Sequence, residues 1–368
     1  MSQYEARLER DLGRIRDKLT SLAEAVQTAL STATQAMFAG DHERSYGVCL
    51  DDHPINRASR DLDRTCHGFI AVHLPTAGHL RFVSAVMHSN IELERIGDYA
   101  KTISRESVQF ERPPSGAIRD HLEEATREAQ RILHQAVSSF TNGDTEAARA
   151  GIAMANEAAS LINAGFTTLV EGGQASPVRE LLGHVVVLNC LDRVADQAKN
   201  ICEETIFSVT GQTKAPKSYR VLFLDADNSV LGPMAQALAQ RNHPQSGQYS
   251  SAGRQAAATF QEGLQPFLSE RGVELGSAAP QALDPTINLS GYHAIVSLQG
   301  SVRDYIDVVP YSTIALRWDV GAPPVSGPVS GPVPGTSEET SARLETLFRS
   351  LAPQLRDLMV TLHGEEKA

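Results

Sequence analysis

The sequence predicts a multidomain chain, all-helical from Tyr4 to about Gly211 and mixed α/β after that. Three observations lead there. Apolar residues recur at spacings of three and four through the first part. That part repeats itself internally. Beyond Ser218, short apolar runs of strand length alternate with helical patterns. At 368 residues the chain exceeds one ordinary core, so two or three domains are expected.

The helical half opens with Leu12, Ile15, Leu19, Leu22, Val26 and Leu30 on one stripe. Breaks fall at AGD (Ala39 to Asp41), HLPTAG (His73 to Gly78), RPPSG (Arg112 to Gly116), NGD (Asn142 to Asp144) and EGGQASP (Glu171 to Pro177). About six helices lie between them. LERIGDYAKTISRE, from Leu93, aligns with LDRVADQAKNICEE, from Leu191. Glu94 then matches Asp192, Arg95 matches Arg193, Asp98 matches Asp196, Lys101 matches Lys199 and Glu106 matches Glu204. Charged positions agree in kind and spacing, so two three-helix units in tandem are expected, residues 1–110 and 111–211.

GQTKAPKS, from Gly211, contains the linker, residues 212–218. Residues 219–368 form the third region. Strands are expected over Val221 to Leu224, His293 to Leu298 and Thr313 to Trp318, and helices over Met234 to Arg241 and Ala256 to Arg271. Alternation of this kind implies a parallel sheet. PPVSGPVSGPVPGTSEET, from Pro323, is a low-complexity loop, and a closing helix runs from about Ser341 to His363. Asp284-Pro285 reads as a turn and Trp318 as packing.

Composition narrows the function. The formal net charge of −11 argues against a general nucleic-acid binder, which needs a basic face. The four cysteines, Cys49, Cys66, Cys190 and Cys202, make no CxxC pair and read as reduced core thiols. No apolar run reaches the roughly 20 residues of a membrane span. The charged, helical N-terminus is not a signal peptide, so a cytoplasmic location is expected.

Glu94 and Asp98 stand four apart, as do Asp192 and Asp196, so each pair shares a helix face. Such carboxylates suit a hard cation or a metal cluster. They equally suit a solvated face paired with Arg95, Lys101, Arg193 and Lys199.

ELERIGDYAKTI and LDRVADQAKNICEE, with LPTAGHLRFV before the first, resemble the PhoU family of phosphate-uptake regulators over about residues 5–211. The resemblance implies tandem three-helix bundles and iron or zinc clusters on E/D-x-x-x-D motifs. Glu94, Asp98, Asp192 and Asp196 would be ligands, with Asp52 from the second helix of the first bundle. It also implies two partners, the phosphate transporter's ATPase and a sensor histidine kinase. Separately, a homodimer through the helical half is an expectation that no sequence feature carries. The pattern departs in places. The second helix of each bundle offers Asp52 with Asn56, and Asn156 with Ser160, where acidic pairs are usual. His79 stands where PxAxDLR carries its aspartate. His79 and His88 read as ordinary polar helix residues, and Arg81 as a candidate for a salt bridge.

VLFLDADNSVLGPMAQAL, from Val221, reads as strand, loop and helix N-terminus, an arrangement whose free N–H groups suit an anion. The order of landmarks resembles low-molecular-weight tyrosine phosphatases and arsenate reductases over about residues 219–363. Asn228 and the MAQAL helix match the loop C-x-x-N-x-x-R-S, SSAGRQ matches a later segment, and RWDVGAPP matches the acid loop. The reacting groups do not match. Asp225 replaces the nucleophilic cysteine, Leu231 the arginine, Gly232 the following hydroxyl and Ala322 the general acid. Covalent phosphatase chemistry needs that thiolate and guanidinium.

FLDADNSVL also fits the D-x-D motif of haloacid dehalogenase-type phosphatases, with Asp225 as nucleophile and Asp227 as acid. From Ser218 to Glu366, however, there is no lysine of the kind that family uses. A degenerate phosphate loop of Asp225, Asp227, Asn228, Ser229 and Leu231 is therefore expected, with Asp225 accepting loop N–H groups as an internal phosphate mimic. The sequence as a whole points to a phosphate-signalling adaptor that works by binding. A phosphatase or a metal-binding helical protein are the alternatives.

Overall fold

The computed structural model describes residues 3–172, 177–213, 218–276, 279–310, 313–318, 320 and 337–363. The chain divides into two compact units, Met1–Lys214 and Ala215–Ala368. Among the described residues no helix is long and apolar enough to cross a membrane.

The first unit comprises α1 (Gln3–Ala39), α2 (His42–His73), α3 (Ala77–Ser107), α4 (Gly116–Asn142), α5 (Thr145–Gly172) and α6 (Val178–Thr210). The stripe read on α1 is buried from Leu8 to Met37. It joins residues from all six helices in one continuous core, so the two three-helix repeats share an interior. α3 and α6, which carry the repeated motif, pack on each other at the centre. His88 Nδ1 lies 3.1 Å from Glu204 Oε1, and Asn200 Nδ2 donates to Glu92 Oε1 at 3.4 Å. Cys66, Cys190 and Cys202 are free thiols in this core, and burial pushes them up to about 12, 12 and 11.

The AGD and NGD breaks make the same turn. Gly40 (φ 67°) and Gly143 (φ 63°) take the left-handed conformation that ends a helix. Asp41 N donates to Ala36 O, and Asp144 N to Ser139 O, both at 2.9 Å. Each aspartate then caps the following helix, accepting Arg44 N and Ala147 N respectively at 3.0 Å. The repeat is thus visible in backbone geometry as well as in side chains. α2 ends differently, on Leu74 at φ 45° with 83% of its surface exposed. A Leu74→Gly substitution is expected to raise unfolding stability by up to about 1 kcal/mol, since a Cβ is strained there and little packing is lost. Chemical denaturation followed by circular dichroism checks it.

The second unit holds β1 (Tyr219–Asp225), α7 (Leu231–Asn242), β2 (Gly247–Gly253), α8 (Leu264–Ser269), β3 (Ala294–Ser297), β4 (Ile314–Arg317) and α9 (Ser337–His363). The four strands are all parallel in the order β2-β1-β3-β4. Val221 and Phe223 of β1 face one core with α7, Trp318 and α9, whereas Leu222 and Leu224 face a second with Tyr292, Val302 and Ile306. Alternation across a strand buried on both faces explains its uninterrupted apolar run.

Two expectations need correction. The helix placed over Ala256 to Arg271 is only α8. Ala257 N and Gln261 N donate to Asp227 O and Ser229 O instead of to helical carbonyls, and Gly263 turns at φ 86°. β2, GQYSSAG, was not foreseen as a strand. Its Gly and Ser content hides it, and pairing with β1 from Tyr219↔Gly247 to Asp225↔Gly253 makes it. Asp284-Pro285 is a turn, with Thr286 N donating to Asp284 Oδ1 at 2.8 Å. Trp318 is buried against Phe223, ring centroids 5.9 Å apart. Ala322 and the loop from Pro323 to Thr336 lie outside the described residues.

Candidate functional site

β1 lies between β2 and β3, with one chain crossing to each side. The loop after it, at the carboxyl ends of the strands, is the topological switch point where ligands bind in open α/β sheets. Asp225 ends β1 there and is 2% exposed. Its carboxylate points back into the loop. Oδ1 accepts Asn228 N at 2.6 Å and Oδ2 accepts Gly232 N at 2.8 Å, at the start of α7. Burial pushes this carboxyl up to about 7, against the pull of those N–H bonds and with a further push from Asp227.

The other loop residues complete the same arrangement. Asp227 Oδ1 accepts Ser229 N at 3.0 Å and Ser229 Oγ at 2.7 Å. Asn228 sits at φ 54°, and its Oδ1 accepts Gln281 N at 2.9 Å. Ala226 N donates to Gln299 Oε1 at 3.1 Å, a contact from beyond β3 that nothing local in the sequence announces. Leu231, at the arginine position, is 5% exposed and belongs to the apolar core. Four N–H donors of the loop are therefore taken by Asp225, Asp227 and Gln299. An incoming phosphate meets fixed carboxylates there, with no thiolate at the attacking position and an alkyl side chain, Leu231, at the arginine position of the loop.

Other neighbours shape the mouth. The Arg254 guanidinium lies over the Tyr305 ring, 5.1 Å from its centroid, and Tyr305 Oη donates to Gln299 O at 2.6 Å. Burial and then Asp225 push the Tyr305 phenol above its ordinary value. Gly253, at the end of β2, passes so close that a Cβ on it would lie 2.7 Å from Asn228 N.

In the helical unit, Asp52 on α2 and Glu94 and Asp98 on α3 are near enough for their charges to repel. Lys101 Nζ lies among them, 2.5 Å from Asp52 Oδ2 and 3.8 Å from Asp98 Oδ1. Asn56 Nδ2 also donates to Asp52 Oδ2, at 3.0 Å. Burial, then repulsion from the other two carboxylates, holds Glu94 above the usual range, and Asp98 is raised by burial and Asp52. In the second bundle Asp192 is raised by burial and then by Asp196, which lies 3.5 Å from Arg193 Nη1. Lys199 Nζ donates to Asn156 Oδ1 at 2.6 Å. The side chain of Ser160 is outside the described residues.

A hard-metal centre needs several oxygens around one point. Among the described residues no three His, Cys, Asp or Glu side chains converge so, and the point between Asp52 and Asp98 is held by an ammonium. As placed, these groups do not make a metal centre. Elsewhere, His88 pairs with Glu204 as an ordinary polar residue does. Arg81 lies against Gly211.

The PhoU domain model matches residues 19–107 and 122–205, one match on each repeat. The helical unit is a tandem pair of PhoU domains. The phosphate-specific transport system accessory protein PhoU of Serratia marcescens is 28% identical over 214 residues, 57% of this chain and 86% of that protein. The crystal structure of PhoU from Pseudomonas aeruginosa is similar at 25% identity and a TM-score of 0.53, covering 55% of this chain and 99% of that one. The chain is also similar to the arsenate reductase of Archaeoglobus fulgidus, at 24% identity and a TM-score of 0.29 over 38% of this chain and 98% of that one. The PhoU matches end at residue 205, so the α/β unit is an addition to the PhoU pair.

Proposed function

We propose that the chain is an accessory regulator of phosphate uptake, acting in the cytoplasm by binding, and that its α/β unit is a phosphatase-like module without the reaction. One observation carries the reading. Both helical repeats match the PhoU domain, and the relatives that share it are named as accessory proteins of the phosphate-specific transport system. The partners that fit are the transporter's ATPase and a sensor histidine kinase.

The loop chemistry supports binding over turnover. A phosphatase of this loop type must present an open ring of N–H donors and an attacking thiolate. Here the donors bond to the protein's own oxygens and the attacking position holds a buried carboxylate. A dehalogenase-type reaction would need Asp225 exposed to an in-line phosphorus with a nearby cation, and Asp225 is sealed by Asn228 and Gly232. The regulator would act by favouring one state of its partner.

Affinity capture with the full chain from phosphate-replete and phosphate-starved cells tests this. The transporter ATPase is expected among the captured proteins, in an amount that changes with phosphate supply. Its absence under both conditions would refute the proposed partner. In parallel, the purified chain with magnesium and an aryl phosphate should show no turnover sensitive to Asp225→Asn. Turnover lost in that variant would make the α/β unit an enzyme.

A further inference from the structure

We infer that a lysine ammonium, that of Lys101, is the resident cation of the first PhoU domain in this chain, at the place where its acidic motif would otherwise gather a metal. The argument starts from Asp52. It is 2% exposed, on α2, and a carboxylate so buried needs a counter-charge. Lys101 supplies it from α3, with Nζ at 2.5 Å. The same ammonium reaches Asp98, one turn before it on its own helix, at 3.8 Å. It therefore stands between the two helices that carry the carboxylates.

In the second domain the matching lysine makes the same crossing but to a neutral partner, and Asp196 pairs with Arg193 instead. Lys199 occupies the repeat position of Lys101, and it donates to Asn156 at 2.6 Å, on the helix that corresponds to α2. A lone surface lysine adopts many rotamers. Two lysines at matching positions, each crossing to the matching helix, are a feature of the fold. The neutral Asn156 in place of Asp52 also leaves the second domain one carboxylate short.

Exchange of the ammonium for a divalent ion requires Lys101 to leave, exposing Asp52 to a different partner. That gives a direct readout on the amine. The full chain is pulsed with an acylating reagent, with and without zinc or ferrous ion, and modification at Lys101 and Lys199 is read by peptide mass spectrometry. Metal is measured by elemental analysis of the same protein, grown in metal-replete medium. Slow labelling of Lys101 is expected, unchanged by either metal, with no stoichiometric iron or zinc retained. Asp52→Asn should speed labelling of Lys101 by about tenfold, the factor that corresponds to roughly 1.4 kcal/mol. Should that variant fail to fold, the wild-type comparison with and without metal decides alone. Faster labelling of Lys101 on adding metal, or stoichiometric metal that leaves on changing Glu94 and Asp98 to Ala, overturns the inference.

Discussion

Replacing Asp225 with Asn is expected to abolish a pH dependence of stability in the α/β unit. The unfolded chain ionises this carboxyl near the ordinary value of 3.8, whereas folding holds it up to about 7. Between those values the folded state binds the extra proton. Stability is therefore fullest below pH ~4, falls as pH rises toward ~7 and levels off above it. At about 1.4 kcal/mol for each unit of difference, the fall approaches roughly 4 kcal/mol. The Asn variant cannot titrate and should lack it. Trp318, the single tryptophan, is buried in this unit, so its fluorescence follows this unit directly. Urea midpoints for wild type and variant at pH 4, 5, 6, 7 and 8 give the comparison. Parallel profiles would mean that Asp225 is not the buried carboxylate described. The variant also tests the phosphate-mimic reading, because an amide has one acceptor oxygen where the carboxylate serves Asn228 N and Gly232 N together. One of those N–H groups then faces an amide N–H.

Much of this was legible in the residues, and what was not has a physical cause. AGD and NGD announced two helix breaks, and they make the same turn because left-handed glycine and capping aspartate are local requirements. The repeat was legible because identical charges recur at one offset. β1 was legible because a strand buried on both faces must be apolar throughout. β2 was not, since GQYSSAG owes its strand state to pairing with β1, a contact distant in sequence. Ala256 to Arg271 kept helical composition but lost its helical bonds to the carbonyls of the loop at 227–229. The loop itself was legible in its substitutions. That Leu231 turns into the core, and that Gln299 caps Ala226 N from beyond β3, depended on the folded neighbourhood. For Glu94 with Asp98 and Asp192 with Asp196, spacing left open whether a metal or basic side chains balance the acids. That Lys101 turns across to Asp52 is a side-chain direction that spacing does not encode.

Gly253→Ala should destabilise the α/β unit by about 1–3 kcal/mol, the usual range for overpacking a filled interior. The added methyl would sit 2.7 Å from both Asn228 N and Asp227 C, and 2.9 Å from Asp227 Cα. These are backbone atoms, so no rotamer change relieves the contact. The strand end cannot move freely either, because Gly253 N donates to Gln281 O and Gly253 O accepts Leu283 N, both at 2.8 Å. The loop must yield, and Asn228 N is drawn from Asp225 Oδ1, its partner at 2.6 Å. Gly253→Ala and Asp225→Asn thus act on the same pair of loop bonds from opposite sides. The effects of the two substitutions on stability, read from Trp318 fluorescence in urea at pH 8, should depart from additivity by more than about 0.5 kcal/mol. Strict additivity would show that β2 and the loop are energetically separate. Asp225 would then be held by its own loop alone, with Gly253 serving only to let the strand pass.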